Sequence, residues 1–132
     1  MAAVVVDTCV VSFPIAGDTR AELYRRHLHG HQLVISFMTL AELYRWPLER
    51  DWGETRRMNL EHRLREYTIY PFTRDLCRTW AAVTAQASRS GRPINVDDAW
   101  IAATALLYDL PLVTHNRRHY EAVPHLRIVS ES

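Results

Sequence analysis

The chain has 132 residues, of which 48% are hydrophobic, so it is long enough to form one domain with a sizeable core. Its net charge of +1 gives no sign of a strongly basic or strongly acidic surface. All 16 residues of the lysine and arginine class are arginine. The absence of lysine excludes Schiff-base enzymes, P-loop nucleotide hydrolases and phosphoreceiver domains that need a lysine.

Several sequence features bear on the compartment. No stretch approaches the roughly 20 consecutive apolar residues that a membrane-spanning helix needs. The first cation is Arg20, so the N-terminus lacks the basic-then-apolar pattern of a secretory signal. We therefore expect a cytoplasmic protein with a single domain over residues 1–132. Cys9 and Cys77 lack metal-ligand spacing, and we expect them to be small core residues without chemistry.

The first predicted strand, Ala3–Val6, is a short β-branched run that is typical of a strand buried on both faces of a parallel sheet. Asp7 and Thr8 follow it, at the carboxyl end of the strand, where open α/β sheets bind ligands. Asp7 either caps the following turn or belongs to a site, and the second interpretation needs further acids at the same place. Residues 8–13 contain no glycine, so a dinucleotide-binding loop is not expected.

The next two elements are a helix and a strand. Residues 18–29 are predicted to form an amphipathic helix with Leu23 and Leu28 facing inward, and Gly30 is placed to end it. Residues 33–35 form a second short buried strand. A helix over residues 36–46 follows, and we expect Pro47 to limit its extent.

Glu42 lies within this helix, and two interpretations are open. Thr39 and Glu42 have capping-box spacing, in which case Glu42 bonds back to the backbone of Thr39. Ser36 is an equally good N-cap, and it would place Glu42 further inside the helix, among apolar residues. The sequence does not decide between a structural and a functional role.

A charged helix over residues 54–67 carries a thin apolar stripe of Leu60, Leu64 and Tyr67. Trp46 and Trp52 flank it, and they suit either a partner-binding surface or the core. A third strand over residues 69–72 and a helix over residues 73–88 follow. The inward-facing set of that helix is predicted to be Leu76, Trp80, Val83 and Ala87.

The helix over residues 99–107 is apolar nearly all round, which predicts burial. Asp97 and Asp98 open it, and because acids at a helix start are favoured by the helix dipole, one of the two is expected to serve only that purpose. Residues 112–114 and 126–129 form the fourth and fifth strands. The alternation of strands and helices predicts a three-layer α/β sandwich around a parallel sheet of about five strands.

Three acids thus occupy comparable places: Asp7 ends strand one, Glu42 follows strand two, and Asp98 opens the buried helix. Right-handed crossovers should bring them to one edge of the sheet, where they repel one another unless a cation neutralises them. Carboxylate oxygens suit Mg²⁺ or Mn²⁺, ions that activate water and stabilise phosphoryl displacement. The pattern therefore predicts a metal-dependent phosphodiester hydrolase without specifying RNA. An Asp-x-Asp phosphatase is not expected, because Cys9 occupies the second acidic position.

Four segments, in order and spacing, resemble the successive motifs of PIN-domain ribonucleases, most closely the VapC toxins of bacterial toxin–antitoxin pairs. The segments are Val5-Val6-Asp7-Thr8, Thr39-Leu40-Ala41-Glu42-Leu43, Asp98-Ala99-Trp100-Ile101-Ala102-Ala103-Thr104-Ala105 and Leu112-Val113-Thr114-His115-Asn116. The resemblance implies a PIN-like fold and a Mg²⁺- or Mn²⁺-dependent endoribonuclease that cuts structured RNA such as tRNA or rRNA. It also implies a VapB-type antitoxin and a homodimer.

By position, the resemblance makes Asp7, Glu42 and Asp98 the catalytic, metal-binding acids. The supporting polar residues that it implies are Thr8, Asp97, Thr114 and Asn116. Many members of the family carry a further aspartate shortly after the Thr-x-Asn segment, where this chain has His119, and the part of His119 in the site stays open. The alternative function is a PIN-like module that binds RNA or a protein partner without cleaving.

Overall fold

The computed structural model describes residues 2–132 and contains a five-stranded, wholly parallel sheet. The strands are β1 (Ala3–Val6), β2 (Gln32–Ser36), β3 (Thr68–Tyr70), β4 (Leu112–Val113) and β5 (Ile128–Val129). The helices are α1 (Thr8–Ala16), α2 (Ala21–Leu28), α3 (Phe37–Glu49), α4 (Glu54–Leu64), α5 (Arg74–Arg89), α6 (Val96–Leu107) and α7 (Arg117–Tyr120). The predicted α/β sandwich is confirmed, with strand order β3-β2-β1-β4-β5.

Strand β1 lies at the centre of the sheet and contributes side chains to a buried cluster on each face. Val5 pairs in register with Val34 of β2 and Leu112 of β4. Val5 packs in one buried cluster, whereas Val4 and Val6 pack in another, because successive side chains of a strand point to opposite faces. A strand covered on both faces needs apolar residues at every position, which is why β1 is a continuous valine run.

Helices cover both faces of this centre. One cluster joins β1 to residues of α1, α3 and α4, including Val10, Leu43 and Leu60. The other joins Val5 to α6 through Ile101 and small alanines that let the helix lie close to the sheet. The predicted burial of α6 is confirmed. Leu60 and Leu64 of the predicted stripe are buried in α4, whereas Tyr67 lies beyond the end of this helix and is partly buried. Within residues 2–132, no helix is long and apolar enough to span a membrane.

Two details of the predicted helices are wrong. In α2, Leu23 is 44% exposed and Tyr24 is fully buried, so the inward face is rotated from the predicted one. Helix α3 continues past Pro47 to Glu49. Pro47 lies in the last turn of α3 and is buried, so the backbone hydrogen bond that its missing N–H removes is one near the end of the helix.

The two tryptophans that precede α4 both contact the core cluster. Trp52 is only 9% exposed and belongs to the core cluster, so the partner-surface interpretation is wrong for this residue. Trp46 is half-buried beside the same cluster. In α5, Leu76, Val83 and Ala87 are buried as predicted. Trp80, the fourth of that set, is half-buried.

Candidate functional site

Asp7 lies where β1 ends, and the capping interpretation of it is confirmed. It is the N-cap of α1, and its Oδ1 accepts a hydrogen bond of 2.9 Å from the backbone N–H of Thr8. Its Oδ2 accepts a bond of 2.6 Å from the hydroxyl of Thr114, which follows β4. Asp7 is 4% exposed, and a buried carboxylate is tolerated when donors surround it in this way.

Tyr120 of α7 links two of the predicted acids. Its hydroxyl oxygen lies 3.2 Å from Asp7 Oδ1 and 3.1 Å from Asp98 Oδ1, and the side chain is fully buried. Burial, and then the charges of Asp7 and Asp98, raise the pKa of Tyr120 far above its ordinary value, so the phenol keeps its proton. A single hydroxyl proton is therefore shared between two carboxylates. Sequence reasoning did not identify Tyr120, because no local pattern marks it.

Asp98 lies in the first turn of α6, half-buried, and faces the same space. Burial raises its pKa, and the charge of Asp7 raises it further. Its Oδ2 lies 3.1 Å from His119 Nδ1, so His119 lies at the site rather than away from it. Contacts with Tyr120 and His119 oppose the rise in the Asp98 pKa because both favour the charged carboxylate.

Glu42 is not part of a capping box. The hydroxyl of Ser36 caps α3 by accepting the backbone N–H of Met38 at 3.1 Å, which places Glu42 inside the helix. Its Oε1 instead accepts a 2.8 Å bond from the hydroxyl of Thr8. Burial raises the pKa of Glu42 to about 7, with smaller contributions from the nearby negative charges of Asp97, Asp7 and Asp98, while the Thr8 bond opposes this rise.

These acids line one cleft of about 640 Å³ at the carboxyl edge of the sheet. The cleft is lined by Asp7, Thr8, Cys9, Ser12, Phe13, Arg20, Glu42, Trp46, Asn95, Asp97, Asp98, His115, Asn116 and His119. Asp97 is an exposed residue in that lining. Thr114 is buried beneath Asp7, and its oxygen accepts the backbone N–H of Asn116 at 3.0 Å.

The predicted convergence of the three acids is only partly present. Asp7 and Asp98 are joined through Tyr120, whereas Glu42 is bonded to Thr8. Among residues 2–132, no three His, Cys, Asp or Glu side chains stand close enough together to hold a metal ion. The structure therefore brings the acids to a common cleft without forming a finished ligand set.

Cys9 also lines the cleft, a position that the sequence did not indicate. Its thiol lies 3.5 Å from Asp7 Oδ2. Burial, and then the charge of Asp7, raise the pKa of Cys9 to about 12. Because the thiolate is the reactive form, Cys9 is not a nucleophile at neutral pH and acts as a donor to the carboxylate.

Comparison with known proteins identifies the family. The PIN domain family model matches residues 4–124. The VapC ribonuclease Y4jK of Sinorhizobium fredii is 33% identical over 97 residues, which cover 68% of this chain and 69% of that protein. The chain belongs to the PIN-domain family and, within it, to the VapC proteins.

Other VapC relatives are similar over nearly the whole chain. Ribonuclease VapC2 of Haemophilus influenzae is 29% identical over 121 residues, covering 92% of both chains. The DNA-bound VapBC structure from Salmonella typhimurium superimposes with a TM-score of 0.86 at 23% identity, covering 98% of both chains. VapBC-5 from Mycobacterium tuberculosis gives a TM-score of 0.76 at 26% identity, covering 98% of this chain and 99% of that one. This VapC-family chain therefore shares its fold with VapBC structures from different bacteria.

Proposed function

We propose that this chain is an endoribonuclease, the toxin of a type II toxin–antitoxin pair, and that it cuts structured RNA such as tRNA or rRNA. The observation that carries the proposal is that Asp7, Glu42 and Asp98, from three separate elements, line one cleft. Membership of the VapC proteins supports it, since relatives with this domain are named ribonucleases.

A divalent cation, Mg²⁺ or Mn²⁺, fits the chemistry of this cleft. Carboxylate oxygens are the hard ligands that these ions prefer. Burial, with smaller contributions from neighbouring carboxylates, raises the pKa values of Glu42 and Asp98, so a cation would favour their charged forms. Asp7, Glu42 and Asp98 would hold the ion once their side chains move closer together, while Thr8 and Tyr120 keep their bonds to one oxygen of Glu42 and of Asp98 and so orient these carboxylates. When bound, it supplies activation of water and stabilisation of charge on the phosphate.

The remaining polar residues of the site would either orient these acids or contact the substrate. The Thr8 hydroxyl orients Glu42, and the Thr114 hydroxyl holds Asp7 from beneath. Asp97 and Asn116 line the cleft and are placed to contact RNA or an attacking water. His119 stands where many VapC proteins carry an acid, so its contact with Asp98 provides a nitrogen ligand or donor in place of a carboxylate.

Cleavage of RNA by the purified chain, freed of any partner, tests this function directly. We expect cuts in structured RNA in Mg²⁺ or Mn²⁺ and none in excess EDTA, because a divalent cation would neutralise the acids of the cleft and activate the attacking water. Undiminished cleavage in EDTA would contradict the metal mechanism. RNA that is bound but never cut, in either metal, would instead support the inactive binding module.

We also propose a VapB-type antitoxin as partner, a homodimeric toxin and action in the cytoplasm. The support is that the similar solved structures include VapBC complexes from several bacteria. Expression of the chain alone should arrest growth, and co-expression of the neighbouring small open reading frame should restore it and yield a complex. Growth arrest that co-expression does not relieve, with no complex recovered, would refute the pairing.

The variant Tyr120→Phe separates the shared hydroxyl from the aromatic ring. Because the ring is buried and remains, the fold should survive with a loss of about 1 kcal/mol of stability. Asp7 and Asp98 lose their common donor, so the concentration of Mn²⁺ needed for half-maximal cleavage should rise about tenfold, as for other residues that orient ligands. A metal titration beside a thermal melt measures both. An unchanged titration with a lowered melting temperature would show that Tyr120 is only structural.

A further inference from the structure

A second groove of about 430 Å³ lies beside the acidic cleft, along α7. It shares the lining residues His115, Asn116 and His119 with the cleft, so the two cavities are neighbours. The rest of its lining is Arg117, Arg118, Glu121 and Ser132. The lining thus changes from acidic in the cleft to basic at α7.

The arginines of the groove are exposed and available for a ligand. Neither Arg117 nor Arg118 forms an ion pair with any residue in the range 2–132. Glu121, which also lines the groove, is paired with Arg92 at 3.4 Å and does not neutralise them. Arg20, on the cleft itself, is by contrast paired with Asp18 at 2.7 Å. The unneutralised positive charge therefore lies on the α7 side of the cleft.

The groove is anchored at its base, although its arginines are exposed. Tyr120 of α7 is fully buried and contacts Asp7 and Asp98. The backbone N–H of Arg117 donates to the hydroxyl of Ser132 at 3.4 Å. These contacts fix the backbone that carries the arginines relative to the acids, so less ordering is needed when a ligand binds.

We propose that this groove holds the phosphate backbone of a single-stranded stretch of the RNA whose cleaved bond lies in the cleft, an inference that rests on the proposed function. A cleft lined with carboxylates repels a polyanion, so the neighbouring phosphates need cations to hold the strand in place. The arginine fork matches phosphate oxygens. A volume of about 430 Å³ is in the range of small-ligand sites, so it fits about one nucleotide of a single strand and is too small for a duplex.

The double variant Arg117→Ala/Arg118→Ala tests the groove through the salt dependence of RNA binding. The measurement is fluorescence anisotropy with a short single-stranded RNA in EDTA, over about 50 to 300 mM salt. If both arginines contact phosphates, the slope of log affinity against log salt should become shallower by about 1.4, and affinity at low salt should fall roughly tenfold. The matched control is Arg65→Ala/Arg89→Ala, which removes the same charge from exposed positions outside both cavities and should keep the wild-type slope.

A second variant, Arg117→Lys/Arg118→Lys, guards against a folding effect, since it keeps the charge and should restore most of the slope. If the slope of log affinity against log salt is the same for the alanine pair and the control pair, the groove does not bind RNA phosphates and the proposal is wrong. Unchanged RNA binding with weakened binding of the co-expressed antitoxin also overturns the proposal, because the surface would then dock a protein. Cleavage by the wild type in Mn²⁺ is scored separately. Its absence alongside the expected slope change would refute the proposed function and not the groove.

Discussion

Replacing Asp7 or Asp98 by asparagine should lower RNA cleavage at least about 100-fold, which is a typical loss when a metal site loses a ligand charge. The side chains keep their shape, so the effect comes from charge and not from packing. Asp7→Asn also replaces one carboxylate oxygen by an NH2 group, which cannot accept a hydrogen bond, so either the bond from the Thr8 N–H or that from the Thr114 hydroxyl is lost and the melting temperature should fall as well. Asp98→Asn should fold nearly as well as wild type, since Asp98 is only half-buried.

The neighbouring residue provides a matched control for this experiment. Asp97→Asn removes the same charge from the same helix turn, but Asp97 is exposed. It should lower cleavage less than tenfold, because the lost charge acts only through the electrostatic potential in the cleft. Initial rates in Mn²⁺ for the three variants, each with a thermal melt, decide the assignment. Equal losses for Asp97→Asn and Asp98→Asn would show that Asp98 contributes only general negative charge.

The hydrophobic pattern of the sequence alone was sufficient to predict the strands of the sheet and helix α6. Strand β1 and helix α6 are buried on all sides, and continuous apolar runs report that burial directly. Helix α1 is harder to predict, because it is also uniformly apolar, contains Pro14 and begins directly after a strand. Its caps, Asp7 and Gly17, become meaningful only once the helix is known.

The inward face of α2 was predicted wrongly for a related reason. Leu23 is the more hydrophobic choice, yet the protein buries Tyr24. The Tyr24 hydroxyl donates to the carbonyl of Thr114 at 3.2 Å and accepts the backbone N–H of Glu131 at 3.0 Å. A satisfied hydroxyl makes full burial of tyrosine favourable, and such distant partners leave no local sequence pattern.

The site shows the same division between local and distant information. Asp7 and Asp98 stand at a strand end and a helix start, both of which can be predicted from local patterns. The role of Glu42 depended on which residue caps α3, and two candidates had equal sequence support. Tyr120 contacts Asp7 across 113 positions and Asp98 across 22, so only the folded chain reveals it.

Glu42→Gln should lower cleavage about 100-fold while making the metal-free protein more stable at high pH. The pKa of Glu42 is raised from 4.5 to about 7, so between these values the folded state holds a proton that the unfolded state has released. The contribution of Glu42 to stability is therefore fully present below about pH 4.5 and is lost as the pH rises through about 7. Glutamine is neutral throughout and removes this dependence, while its amide oxygen can still accept from Thr8.

Thermal melts of wild type and Glu42→Gln in EDTA, at about pH 5 and about pH 8, test the sign of this effect. Glu42 is half-buried, so the difference between the two proteins should be of the order of 1 kcal/mol, or about 4 °C, and should favour glutamine only at the higher pH. Adding Mn²⁺ at high pH should stabilise the wild type more than the variant, because only the wild type gains a partner for the Glu42 charge. If Glu42 served only in a capping box, the opposite result is expected. Glu42→Gln would then lower the free energy of unfolding by about 1 kcal/mol at every pH and would leave cleavage unchanged. A folded Glu42→Gln protein that cleaves RNA at the wild-type rate would remove Glu42 from the proposed metal site.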